Sequence, residues 1–326
     1  MRAPSGHAHD HLPDGALDRR LWATAALNLV ITAAELAGGL VAGSLALLSD
    51  AAHNLGDVGA VVVALGARRL SRRSPTTRHT YGFKRAEVLA ALANAVTLIA
   101  VTALIAREAV QRLLHPTAVD RGTMLLVALV ALGANAVSVV LLRRHEHDDV
   151  NVRSAFLHLA QDALASVAVV AAALLARTAA GAYVDAAAAL LVGLVVLRSA
   201  LSLAWETVST LLEGAPRDVD VATLAERVAR LFSPARLHHV HVWELGPGQR
   251  LLTAHVVLAR DLDGGAITAL LKRLKVFLND EWAISHATLE PEVVECARPE
   301  LLGRWDRPAP AASSIVPADD HRETAP

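Results

Sequence analysis

The chain has 326 residues, 54% of them hydrophobic and only 19% charged, with a formal net charge of -1. Soluble chains carry about 25% charged residues, and nucleic-acid binding calls for a basic field that this charge does not supply. Cys296 is the one cysteine, which excludes an intrachain disulfide.

Residues 1–20 are polar and carry His7, His9 and His11 at alternate positions; they read as a flexible cytoplasmic segment without a cleavable signal, and short histidine tracts of this kind can bind metal. Residues 21–205 hold six stretches apolar and long enough to cross about 30 Å of hydrocarbon as helices: Leu21–Val41, Ser44–Ala67, Val88–Ala106, Thr123–Leu142, Ala155–Ala176 and Val184–Leu203. Ala42 and Gly43 join the first two. The second and third are linked by a basic loop (Arg68, Arg69, Arg72, Arg73, Arg78, Lys84, Arg85), and the fourth and fifth by another around Arg143, Arg144 and Arg153. The positive-inside rule places both loops and both termini in the cytoplasm. Arg107, Arg112 and Arg121, between the third and fourth stretches, fit it less well.

Residues 206–298 change character. Val219–Phe232 repeats apolar residues at helical spacing, Arg236–Leu245 and Leu251–Ala259 read as strands around a Pro247-Gly248 turn, Ala266–Leu278 is helical again, and Ala287–Val294 closes as a strand. The order αββαβ predicts a small α+β domain with its helices on one face of the sheet. Residues 299–326, rich in Pro, Ala, Asp and Ser, read as a disordered tail.

One motif recurs inside the apolar region. The second stretch holds His53 and Asp57, and the fifth holds His158 and Asp162, each a His-x-x-x-Asp. Residues i and i+4 share a helix face, so two such helices facing each other bring two imidazoles and two carboxylates to one point. That is a tetrahedral N2O2 set suited to Zn2+. Intramembrane ionisable groups cost about 2.5–3.5 kcal/mol each at a helix centre and mark ion pathways. Asn28, Asn94 and Asn135 read as hydrogen-bonding residues between helices. Glu35 reads either so or as part of a proton path, and Asp50 as an aid to ion exit or a cap.

Ser44-Leu45-Ala46-Leu47-Leu48-Ser49-Asp50-Ala51-Ala52-His53 followed by Asp57 resembles the second-span signature of the cation diffusion facilitator family. Tyr81-Gly82-Phe83-Lys84-Arg85-Ala86-Glu87, Leu212-Glu213-Gly214-Ala215-Pro216 and His241-Val242-Trp243-Glu244-Leu245 resemble its third-span entry, membrane-to-tail junction and first tail strand. Gln161 departs from the small residue expected before Asp162. The resemblance implies a six-span transport domain with a ferredoxin-like, metallochaperone-like cytoplasmic domain, assembled as a homodimer in the bilayer. The bias to Ala, Leu and Val with sparse Lys suits a GC-rich bacterium and so an inner membrane. The resemblance implies a proton-coupled antiporter, not an enzyme, that exports Zn2+ by alternating access from a site of His53, Asp57, His158 and Asp162, with Cd2+, Co2+ and Ni2+ as further substrates. It also maps a cytoplasmic metal site onto His238, His255 and Glu292, with His241 and Glu290 as neighbours, where zinc acts as a regulatory ion. His79 resembles a position where some relatives bind an interfacial ion. Two other functions stay open at this point: a membrane-anchored zinc sensor and an intramembrane zinc hydrolase. Four protein ligands leave no open position for a hydrolytic water, and a sensor would leave the paired His/Asp motifs unexplained.

Overall fold

The computed structural model describes residues 14–143, 150–175, 181–259, 262–293 and 300–302, with backbone alone for 14–25, 141–143, 150–159 and 181–182. His7, His9 and His11 lie outside the described residues. The chain divides into two compact units, Met1–Ser209 and Thr210–Pro326.

The first unit is helical: α1 (Asp14–Ala42), α2 (Leu45–Ser71), α3 (Ala86–Leu114), α4 (Arg121–Arg143), α5 (Val150–Leu175) and α6 (Gly181–Leu211). Within the described residues, Ala86–Leu114, Arg121–Val140 and Tyr183–Leu211 are long and apolar enough to cross a membrane, and Ala26–Ala42 and Ala160–Leu175 are shorter apolar helices. Large apolar side chains face outward, among them Val30, Leu40, Leu104, Leu126 and Leu164, as they must where the solvent is hydrocarbon. The interior is small-residue packing of the kind that lets helix backbones approach closely: Ala42, Ala46, Ala128, Ala172, Ala173 and Ala188 surround Leu47, Met124 and Val169.

α1 packs on α2 and α4, α4 on α5, and α5 closes back on α2, so these four helices form a ring, and α3 packs on α2. The link between α1 and α2 is tight because Gly43 takes φ +65°, a left-handed conformation that glycine adopts without steric cost. Ser44 then caps α2, its hydroxyl accepting from Leu47 N at 3.2 Å.

In the second unit, α7 (Val221–Leu231), β1 (Arg236–Glu244), β2 (Arg250–Val257), α8 (Gly264–Trp282) and β3 (Ile284–Glu292) follow in order. The sheet runs β1-β2-β3. β1 and β2 are antiparallel around the turn at Gly248, and β3 is parallel to β2 because α8 makes the crossover. Leu224 and Val228 of α7 and Leu274 and Leu278 of α8 pack with Val240, Val242, Leu252, Ala254, Val256 and Ile284 in one core. Asp220 and Asp263 cap the two helices, accepting from Ala222 N and Ala266 N.

Candidate functional site

Two polar stripes run side by side on α2. Asp50 and Asn54 form one i,i+4 pair, and His53 and Asp57, about 60° around the helix, form the other. His53 Nε2 lies 3.8 Å from Asp57 Oδ2 on its own helix and 3.8 Å from Asp162 Oδ1 on α5. Asp162 is 1% exposed, whereas His53 and Asp57 side chains are 20% and 35% exposed. The three therefore span a gradient from buried to accessible, as an ion-binding point at the bottom of an approach would. An edge of a tetrahedron with bonds of about 2.1 Å measures about 3.4 Å, so small rotations would let one ion be shared. His158 lies on the part of α5 described by backbone alone, one turn before Asp162, and its side chain is outside the described residues.

α3 packs on α2 beside this group. Gly56 lies between His53 and Asp57 in sequence, and a Cβ there would collide with Leu98 Cδ1 of α3. On α4 and α5, Asn135 Nδ2 donates to Ser166 Oγ at 3.1 Å, which matches the bridging role expected of intramembrane amides. Asn54 Nδ2 donates to Glu35 Oε2 at 3.0 Å, tying α2 to α1.

The second unit presents a different cluster on the sheet face opposite α7 and α8. His238 pairs with His255 across β1 and β2, and the register then slips before His241. At this bulge His239 takes φ +49°. Leu237, Val240 and Val242 all point into the core, so the alternation of β1 shifts by one residue across the bulge. Nitrogen atoms of His238, His239 and His255 consequently lie within 4.8 Å of one another. Glu292 of β3 closes the group, with Oε2 2.8 Å from His238 Nε2 and Oε1 2.6 Å from His255 Nδ1. Glu290 lies 3.6 Å from His255 Nε2 and is mostly exposed. Burial pushes the Glu292 pKa up, but the hydrogen bonds from His238 and His255 outweigh it and hold the carboxyl below its usual range. Three imidazoles and a carboxylate form a nitrogen-rich donor set that fits zinc better than harder ions.

The sequence profile of the cation efflux transmembrane domain matches residues 21–212. The zinc transporter ZitB of Escherichia coli (strain K12) is 40% identical over 302 residues, covering 92% of this chain and 95% of that protein. The metal cation efflux system protein CzcD of Cupriavidus metallidurans is 36% identical over 302 residues, 93% of this chain and 94% of its own. A cadmium, cobalt and zinc/H(+)-K(+) antiporter of Bacillus velezensis is 31% identical over 289 residues, 88% of this chain and 92% of its own.

The chain belongs to the cation efflux family. It is a multi-pass membrane transport protein, and its paired His/Asp helices lie within the matched transmembrane region. In this family member His79 stacks on Phe83 with ring centroids 4.7 Å apart, and among the described residues it joins no group of three ligating side chains.

Two residues of these sites have only a faint signal in the sequence. Strict strand alternation assigns His239 to the face opposite His238. The apolar spacing Leu237, Val240, Val242 was the available signal, since it breaks period two by one residue. Asp185, near the start of α6, was read as part of a span but is buried against the N-terminus of α2. Its carboxylate accepts from Ser44 Oγ at 2.6 Å, Leu45 N at 2.8 Å and Ala46 N at 3.3 Å, where a helix dipole favours negative charge. An acidic residue entering an apolar run was the signal there.

Proposed function

We propose that the protein exports Zn2+ from the cytoplasm in exchange for protons, by alternating access of a site made by His53, Asp57, His158 and Asp162. The observation that carries this reading is the His53 imidazole set equally between a carboxylate of its own helix and one from α5. Two nitrogen and two oxygen donors in a water-poor setting select zinc over magnesium or manganese, and Cd2+, Co2+ and Ni2+ remain alternative substrates. The names of the ZitB, CzcD and antiporter relatives support this assignment. All four ligands must be deprotonated to hold the ion, so protons leaving on one side and returning on the other make the cycle an antiport. Histidine titrates near neutral pH, within reach of both compartments.

In this reading α1 to α6 are six spans of a homodimer in a bacterial inner membrane, with both termini cytoplasmic. The cluster of His238, His255 and Glu292 is a regulatory zinc site. Zinc bound there shifts transport only through its different affinity for the conformations of the cycle.

The test is metal flux into proteoliposomes under an imposed pH gradient. Wild-type protein should accumulate zinc in a gradient-dependent way, and Asp57→Ala and Asp162→Ala should each reduce the rate at least about tenfold while remaining folded by gel filtration. Wild-type rates in either folded variant would remove these residues from the site, and no flux in the wild type would favour the sensor.

A further inference from the structure

The sheet itself places most of the donors in the tail cluster. His238 pairs with His255 across β1 and β2, and Glu292 with Val257 across β2 and β3, so their positions follow from strand register. His239 is different. It lies in the bulge between His238 and His241, where β1 and β2 have no paired residues. Its φ of +49° is one that a residue with a Cβ rarely takes. Something outside the ladder must hold it there.

Residues 300–302 do so. His239 N donates to Glu300 O at 3.1 Å, and Val240 N donates to Leu301 O at 2.8 Å. Consecutive amides of a regular strand point to opposite edges. Both reach one segment here because the backbone turns at the bulge. Val240 is wholly buried, so loss of the Leu301 carbonyl would strand a buried donor unless the bulge rearranged. Leu301 is half-buried and packs against the core of the second unit, whereas Leu302 is 57% exposed. Leu301 is thus the anchor of the segment.

We propose that residues 300–302 form a clip that positions His239 and so sets the zinc affinity of the tail cluster. This rests on the reading of that cluster as a regulatory zinc site. With the clip docked, the His239 ring stands 5.0 Å from that of His238 and 4.9 Å from that of His255, centroid to centroid. Three imidazoles then share the site with the Glu292 carboxylate. With the clip released, the bulge relaxes to an extended strand, and strict alternation turns the His239 ring away from His238. Two imidazoles and a carboxylate remain, a weaker zinc set.

The experiment uses the full chain carrying Asp57→Ala and Asp162→Ala, so that the membrane site does not contribute to zinc or cobalt binding. Two changes release the clip: Leu301→Asp removes its anchor, and a chain ended after Arg298 removes both acceptors. The second serves if the first fails to fold, and Leu302→Asp is the control. In zinc-free protein, amide exchange across residues 237–242 should quicken at least about tenfold in both released forms, while β2 and β3 keep the parent's rates. Both forms should bind zinc at least about tenfold more weakly and shift the visible spectrum of bound cobalt toward that of His239→Ala. Adding His239→Ala to Leu301→Asp should lower affinity no further, because the ring has already left the site. Leu302→Asp should match the parent throughout. The parent's zinc affinity and cobalt spectrum in a folded, released form would overturn the proposal, since the segment would then only cover the edge of β1. So would unchanged exchange across residues 237–242 in the shortened chain. A parent tail that binds no zinc is a separate result: it would overturn the regulatory-site reading, and the proposal with it.

Discussion

His53 supplies one of the two nitrogens of the proposed transport site. His53→Asp would replace an imidazole by a third carboxylate beside Asp57 and Asp162, which lie 3.8 Å from the present ring nitrogen. The substitution should shift preference toward oxygen-favouring ions such as manganese. Competition of each ion against zinc uptake checks this, and an unchanged ranking would mean that selectivity is set elsewhere. In the tail, His239 is the third nitrogen of its cluster only because its backbone sits at φ +49°. With the membrane site removed by Asp57→Ala and Asp162→Ala, His239→Ala should lower the remaining zinc affinity at least about tenfold and change the visible spectrum of bound cobalt. With the membrane site intact, the same substitution should move zinc activation of flux to higher concentration without lowering the rate at saturation. An unaltered cobalt spectrum would take His239 out of the ligand set.

At the scale of an element, α2 carries almost everything the transport domain needs, and its neighbours are arranged to hold it. Asp185 and Ser44 fix its first turn, and Arg112 of α3 reaches Gly43 O just before it. Further along, Leu98 of α3 fills the space that a Cβ at position 56 would take. Gly56→Ala should therefore push the Leu98 side chain aside. The strain that Leu98 does not absorb falls on the turn of α2 that carries His53 and Asp57. Overpacking of this kind costs about 1–3 kcal/mol. The expected outcome is a folded protein with a lower unfolding temperature and a larger loss of flux than of zinc binding to the tail. Gly59, which has no atom near its Cβ position, is the control: Gly59→Ala should leave both unchanged.

At the scale of the molecule, the two units answer to different solvents, and acid distinguishes them. Burial, with smaller contributions from His239 and His255, holds the His241 imidazole below its ordinary value of 6.5. The unfolded chain therefore binds a proton at pH values where the folded tail does not, so tail stability falls as pH drops below about 6.5. Glu292 acts in the same direction lower down: its carboxyl is held below the ordinary 4.5, so its contribution is present above that value and is lost as pH falls through the folded pKa. In zinc-free protein, amide exchange in β1 and β2, corrected for its intrinsic pH dependence, should quicken between pH 7.5 and 5. His241→Gln should flatten that change. Equal protection at both pH values would show that His241 is not linked to folding of the tail.

Local pattern was enough to reveal much of this. Apolar runs of helical length, interrupted by basic loops, fixed a helical membrane domain because the cost of polar backbone in hydrocarbon leaves few alternatives. The repeated His-x-x-x-Asp was legible because i,i+4 neighbours meet on a helix whatever surrounds them. The first strand of the tail was legible to within a residue, Arg236–Leu245 being read where β1 spans Arg236–Glu244, but the closing strand, read as Ala287–Val294, begins three residues earlier at Ile284. What the sequence could not show were contacts between residues far apart in the chain. Asp185 meets Ser44 across 141 positions, Glu35 meets Asn54 across the α1–α2 hairpin, and both pairings depend on how the helices rotate against each other. The face taken by His239 is set by a bulge, and a one-residue slip in register reverses every side chain beyond it. Periodicity determines which side of an element a residue occupies, but only the packed structure decides what that side meets.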